Sequence, residues 1–276
     1  MIRKLSAGQL ITCVIIGIGA VSMLAPFYFM FVFATHTRAD IYSLPPPLWF
    51  GDAFFSNINL LTERIPFWHS VGVSFYVATI GTVLTLLVCS LGGYAFAVYE
   101  FKFKRLMFAV VMATILLPPF LTMIPSFMVI NTLNWFDQPR ALYIPAAANA
   151  FGVFLMRQYI ATAIPKELLD AARIDGCSEF RIYWHIVLPL TTPALGTLSL
   201  VAFVSSWNNF MSPLIVMQSM DMYTVPLALR AIQSPVNTEW GAVMAGTALS
   251  VLPLLVMFVL ASRRFIEGLT AGAAKG

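Results

Sequence analysis

Apolar residues run through this chain in long blocks, and the charges fall in the gaps between them. Residues 5–37 contain no Lys, Arg, Asp or Glu. A helix needs about 20 apolar residues to cross the hydrocarbon core of a bilayer, so the pattern predicts a first crossing near 10–34. The same reading predicts crossings near 71–98, 107–130, 141–162, 188–216 and 240–262. The fourth is the weakest, because only 141–156 is free of charge, and Arg157 must carry its guanidinium to the interface on an apolar stem. The first block is longer than the roughly 7–15 apolar residues of a signal peptide, so it is expected to remain as an anchor. Prolines recur inside the blocks (Pro26, Pro118, Pro119, Pro125, Pro145, Pro193, Pro213, Pro253), and each removes a backbone donor and favours a kink.

Composition agrees with this reading: 59% of the residues are hydrophobic and 10% are charged, where a soluble domain carries about 25% charged residues. The expected fold class is therefore an all-α integral membrane protein, one transmembrane domain over 1–276 with six helices. Basic residues set the orientation, because they collect on the cytoplasmic side of short loops. One side holds Arg3, Lys4, Lys102, Lys104, Arg105, Arg157, Lys166, Arg173, Arg181, Arg263, Arg264 and Lys275; the other holds Arg38, Arg64, Arg140 and Arg230. The first side is expected to be cytoplasmic, with both termini on it, in a multi-pass cell membrane. The net charge of +4 says little about nucleic acid, because the basic residues are spread among short loops and form no patch; the expected surroundings are membrane lipid, with no nucleic-acid partner. Cys13, Cys89 and Cys177 match no zinc or disulfide spacing.

One stretch departs from the apolar rule: Glu167 to Pro189, within an expected cytoplasmic loop over 163–187. Pro165 suits a first helical position, and Glu167 and Asp170 suit the positive end of a helix running to Ile174. Asp175-Gly176 reads as its stop. A second helix is expected over Ser178–Ile186, with Phe180, Tyr183 and Trp184 on one face. Small Ala171 and Ala172 permit close approach of a partner, and Asp170, Arg173 and Asp175 supply ion pairs at the rim. Composition alone leaves an amphipathic surface loop equally open.

The spacing Asp170-Ala171-Ala172, three residues, Gly176, nine residues, Ile186-Val187-Leu188-Pro189 resembles the EAA loop of binding-protein-dependent ABC importer permeases, with Asp170 standing for the family's Glu. Trp207-Asn208-Asn209-Phe210…Pro213-Leu214 and Gly268-Leu269-Thr270 resemble the carbohydrate branch, the maltose, glycerol-phosphate and alginate type of second permease. Val73-Ser74 departs from that branch's Asn-Ser. The resemblance implies an importer permease forming half of the path for a sugar, oligosaccharide or polyol phosphate. It implies a heterodimer with a second permease, two copies of a cytoplasmic ABC ATPase holding ATP and Mg, and an extracytoplasmic solute-binding protein. ATPase coupling would then fall to Glu167, Asp170, Ala171, Ala172, Asp175, Gly176 and Phe180, with a tail over 263–276 either frayed or reaching towards the ATPases.

Ser205, Ser206, Asn208 and Asn209 are polar at membrane depth, either lining a wet path or bonding helices together. Adjacent helical residues point about 100° apart, so at most one of the two amides would face such a path. The acids all fall outside the expected crossings, which disfavours a stand-alone proton-coupled transporter. There is no G-x-x-x-x-G-K-[ST] loop, no catalytic constellation and no cofactor or metal motif, so the chain is expected not to be an enzyme. An importer of another polar solute, or a secondary transporter, remain the alternative readings.

Overall fold

The computed structural model describes the backbone of residues 7–273, and the side chains of these except residues 7, 10 and 260–273. Arg3, Lys4 and Lys275 therefore lie outside the described residues, as do the side chains of the expected tail from 263 onward; its backbone is helical as far as Ala273.

The described chain forms helices throughout. They are α1 (Ala7–Phe33), α2 (Arg38–Ile41), α3 (Phe54–Arg64), α4 (Phe67–Val98), α5 (Lys104–Ala113), α6 (Pro119–Thr132), α7 (Arg140–Ala147), α8 (Ala150–Ala163) and α9 (Lys166–Ile174). Then come α10 (Glu179–Ile182), a π-helical turn Tyr183–Val187, α11 (Leu188–Leu190), α12 (Thr192–Trp207), α13 (Met211–Val216), α14 (Val225–Ala231) and α15 (Trp240–Ala273).

Three stretches are continuous and apolar enough to span a membrane: Ile11–Phe33, Phe67–Val98 and Trp240–Val259. The other three expected crossings are each broken, and the sequence supplies the cause. The third bends by 108° between Lys104–Leu116 and Pro119–Thr132. Leu117 precedes two consecutive prolines, which force it and Pro118 into extended backbone. The fourth is two helices of 8 and 14 residues, α7 and α8. They part at Ala148, and Asn149 restarts the chain by accepting a hydrogen bond from the Gly152 amide at 2.8 Å. The fifth bends by 78° between Glu179–Leu190 and Thr192–Trp207. Pro189 displaces the carbonyl four residues back, which fits the widened π turn before it, and Pro193 opens the next helix.

The chain divides into two compact units. One holds the N-terminal residues to Phe67 with Ala228–Leu252, and the other holds Trp68–Leu227 with the segment from Pro253. In the first, buried Asn57 donates to the Ala34 and His36 carbonyls at 2.9 Å each. In the second, the main core joins α4, α8 and α12 to the segment after α8: Cys89, Tyr94, Met156, Ile160, Leu169, Ala172, Ile182, Tyr183, Val187 and Leu198 are all buried in it.

Close backbone approach makes this core possible. A Cβ at Gly93 would sit 2.5 Å from Met156 Cβ and 2.7 Å from the Arg157 amide nitrogen. One at Gly152 would sit 2.6 Å from Cys89 Sγ. Small residues that let helices touch are the usual currency of membrane helix packing. Gly93→Val is therefore expected to destabilise the subunit by about 1–3 kcal/mol, the usual cost of overpacking. Gly72→Ala, on the same helix with nothing within 4 Å of the added carbon, is expected to leave the thermal midpoint of the purified protein unchanged or slightly raised. Equal midpoints for both variants would contradict this packing.

Candidate functional site

The charged stretch folds into two helical pieces joined by a tight turn. α9 begins one residue later than expected, with Pro165 as its N-cap and Glu167 in its first turn. It ends in a Schellman motif: the Gly176 amide donates to the Arg173 carbonyl and the Cys177 amide to the Ala172 carbonyl, both at 3.0 Å. Gly176 takes φ +82°, a left-handed backbone that side chains disfavour. Ser178 then caps α10 by accepting from the Arg181 amide at 3.4 Å.

The two faces of this knob differ sharply. Leu169, Ala172, Ile182, Tyr183 and Val187 are buried in the core described above. Burying each such large apolar side chain is worth about 1.5–3 kcal/mol, so the loop is held as a structured element. Outward face Ile174, Phe180 and Trp184, which are 86%, 69% and 41% exposed. Glu167, Asp170, Ala171, Asp175 and Gly176 are exposed as well. Two expectations need correction. Tyr183 does not share the outer face with Phe180 and Trp184: it turns inward, and its hydroxyl lies 2.6 Å from Ser90 Oγ. Phe180 and Trp184, four residues apart, do pack edge to face at 5.9 Å. Ala172 packs against this chain's own core, which leaves Ala171 as the small residue open to a partner.

Ion pairing also differs from the expected rim. Arg173 Nη1 donates to Asp170 at 2.8 Å and Arg173 Nε to Glu179 at 2.7 Å. The other Glu179 oxygen accepts from the Tyr99 hydroxyl at 2.6 Å and the Tyr94 hydroxyl at 3.0 Å. One carboxylate thus joins α9 to α10 across the Gly176 turn, and both to the end of α4. The guanidinium of Arg173 and then the tyrosine hydroxyls hold the Glu179 carboxyl down to about 2, against the smaller opposing effect of burial. Glu179 in turn holds the Arg173 guanidinium above its ordinary range. Sequence reasoning missed Glu179, Tyr94 and Tyr99. The only local signal is an acid in the first turn of a Ser-capped helix; the tyrosines lie about eighty residues away, as the separations of 85 and 80 residues show.

At the end of α12 the structure brings Ser205, Ser206 and Asn209 to a small cavity of about 110 Å³, with Thr85, Asn149 and Thr224 completing its polar lining. Asn208 ends α12, is exposed and does not line the cavity. Asn209 also accepts from the Ser212 amide at 3.2 Å, which starts α13. The Thr224 hydroxyl is buried without a hydrogen-bond partner among the described residues. Ligand sites are usually about 300–1,000 Å³, so this cavity is too small for a sugar in the conformation described. Among the described residues no three His, Cys, Asp or Glu side chains converge as metal ligands would.

Comparison with known proteins follows the same lines. The profile of binding-protein-dependent transport system inner membrane components matches residues 81–266. The chain is 38% identical over 219 residues to the arabinooligosaccharides transport system permease protein AraQ of Halalkalibacterium halodurans, covering 79% of this chain and 78% of that one. It is 34% identical over 259 residues to the lactose transport system permease protein LacG of Rhizobium radiobacter, covering 92% of each. It is 32% identical over 266 residues to the sn-glycerol-3-phosphate transport system permease protein UgpE of Escherichia coli, covering 94% of each. In fold it is similar to a chain of a bacterial ABC transporter involved in alginate import, with a TM-score of 0.83 and 22% identity, covering 96% of this chain and 100% of that one. With its helical fold, its apolar spans and a family match across most of its length, this chain belongs to the inner-membrane components of binding-protein-dependent transport systems.

Proposed function

We propose that this permease forms half of the translocation path of an ATP-driven carbohydrate importer, moving a sugar, oligosaccharide or polyol phosphate inward by alternating access. Its partners are a second, different permease, two copies of a cytoplasmic ATPase that hold ATP and Mg, and an extracytoplasmic solute-binding protein. Both termini lie on the cytoplasmic side. The observation that carries this reading is the knob at 165–187: its inner face is built into the core, while Ile174, Phe180 and Trp184 stand outside it. An uncovered apolar face on an anchored element suits a partner that pushes on it. The names of the relatives, which speak of arabinooligosaccharides, lactose and glycerol phosphate, support the cargo class.

The mechanics follow from the bonding around Glu179. ATPase closure displaces the knob. Because Glu179 holds α9, α10 and the end of α4 together, the push reaches α4 directly and α12 through the 78° bend. Moving a two-state element from 1:99 to 99:1 takes about 5.5 kcal/mol, within reach of ATP binding and hydrolysis. The path residues Ser205, Ser206 and Asn209 sit beyond that bend, on and just after α12.

Three measurements test the reading on the assembled transporter in vesicles. Gly176→Leu places a branched side chain at φ +82°, at a cost of about 1–2 kcal/mol for the left-handed backbone. It is expected to leave insertion intact and to uncouple ATP hydrolysis from uptake; normal uptake at equal expression would sink the proposal. Glu179→Gln removes the charge that Arg173 and the tyrosines share, and is expected to raise the ATP consumed per solute moved. The wild-type carboxyl has its value lowered from 4.5 to about 2. Its stabilisation is therefore complete above 4.5 and is lost as pH falls towards 2. Coupling that depends on this carboxylate should then be flat with pH from neutrality down to the start of that window. Asn209→Ala is expected to reduce uptake several-fold while Asn208→Ala leaves it near wild type; the reverse order would remove Asn209 from the path.

A further inference from the structure

We infer that the cavity between the end of α4, the start of α5 and the second half of α8 is a binding site for the headgroup of an anionic phospholipid. The cavity holds about 710 Å³ and is lined by Phe96, Phe101, Phe103 and Phe108 together with Lys104, Arg105, Arg157 and Glu100. That volume lies within the usual range of ligand sites, about 300–1,000 Å³.

Its charge is unbalanced. Glu100 is already bound by Lys104 at 2.9 Å. Among the described residues neither Arg105 nor Arg157 makes an ion pair. Arg157 is the sharper case, because it interrupts an apolar helix and rests on the Phe108 ring with its guanidinium carbon 4.4 Å from the centroid. A cation at the edge of a bilayer is stable when an anion or water meets it, and apart from a long 3.4 Å bond from Arg157 Nη1 to Gln158 Oε1 the guanidinium edge is open to such a partner. α5 adds the same sign: it has no side-chain cap and no acid in its first turn, so its positive end opens beside Lys104 and Arg105.

What fills the cavity must therefore be anionic at one end and apolar at the other. Phe103 and Leu106, on its rim, are 62% and 61% exposed, and Met107 and Val110 continue that surface along α5. Acyl chains can lie along this strip while a phosphate meets the two arginines, whose planar forks suit phosphate oxygens. The site falls at the membrane end rich in Lys and Arg, which is the leaflet where anionic lipids attract basic pockets. Free phosphate shares the headgroup chemistry but gains nothing from the apolar strip.

The test uses the whole importer purified in mild detergent, with co-purifying lipid measured by mass spectrometry. The wild type is expected to retain phosphatidylglycerol in preference to phosphatidylethanolamine after washing. The Arg105→Gln/Arg157→Gln double variant is expected to retain about tenfold less, as for the loss of one strong charge-assisted contact. Phosphatidylglycerol vesicles should raise the thermal midpoint of the wild type and not of the variant, while excess inorganic phosphate raises neither. Should the double variant fail to assemble, Arg157→Lys keeps the charge but loses the fork and should show a partial loss. Equal lipid retention by wild type and variant overturns the site. So does stabilisation by phosphate alone, or a cross-link placing a carboxylate of another subunit at Arg157.

Discussion

The Glu179 carboxylate is the joint on which the part of the second unit around the Gly176 turn depends. It accepts from Arg173 across the Gly176 turn and from Tyr94 and Tyr99 at the end of α4. Charge-assisted bonds of this kind are roughly twice as strong as neutral ones. Without them α9 and α10 would be joined only by a flexible corner and by apolar contact. With them, two short helices that could not persist alone in water behave as one piece with a spanning helix. The buried inner face sets where that piece sits, and Glu179 sets its angle.

The crossings show a complementary strategy. α1, α4 and α15 are long and continuous, while the helices over the other three expected crossings break at Leu117-Pro118-Pro119, at Ala148-Asn149 and at Thr191. Two of these breaks are accommodated locally: Asn149 accepts from the amide three residues on, and Pro193 stands in the first turn of α12, where no donor is needed. Broken helices at membrane depth are tolerated where protein or a wet cavity satisfies the freed groups. The break at Asn149 and the junction of α12 with α13 at Asn209 border the same small polar cavity. Bends and polarity therefore coincide, which is the arrangement expected of elements that shift against one another.

Much of this was legible in the sequence, and what was not has a physical reason. Blocks free of charge locate the three continuous apolar helices, because a charge at bilayer depth is costly. Gly176 was legible because only a left-handed corner places a glycine after Ile174-Asp175. The orientation of Tyr183 was not. A periodicity of i, i+3, i+4 assumes a regular α-helix, whereas the chain widens into a π turn at Tyr183 and a core lined by Ser90 and Tyr94 draws the ring inward. Glu179 looked like one more loop acid, because its partners on α4 are separated from it by nearly a third of the chain. The same limit hid the inward side of Ala172. The lining of the cavity by Asn209 and not Asn208 was not legible from a helical repeat, because α12 ends at Trp207 and both amides lie past it, and Thr85, Asn149 and Thr224 come from elements that spacing alone does not connect.

Ile174, Phe180 and Trp184 carry a further consequence for how such a subunit survives in the cell. Apolar side chains standing in water on a rigid knob are what chaperones and quality-control proteases read as unfinished protein. The fold cannot hide them by collapsing, because the inner face is already full and Glu179 fixes the angle. Among the described residues nothing covers them. On the proposed function, the surface that receives force would also be a marker of incomplete assembly, so that the supply of partner would set how much of this permease is kept.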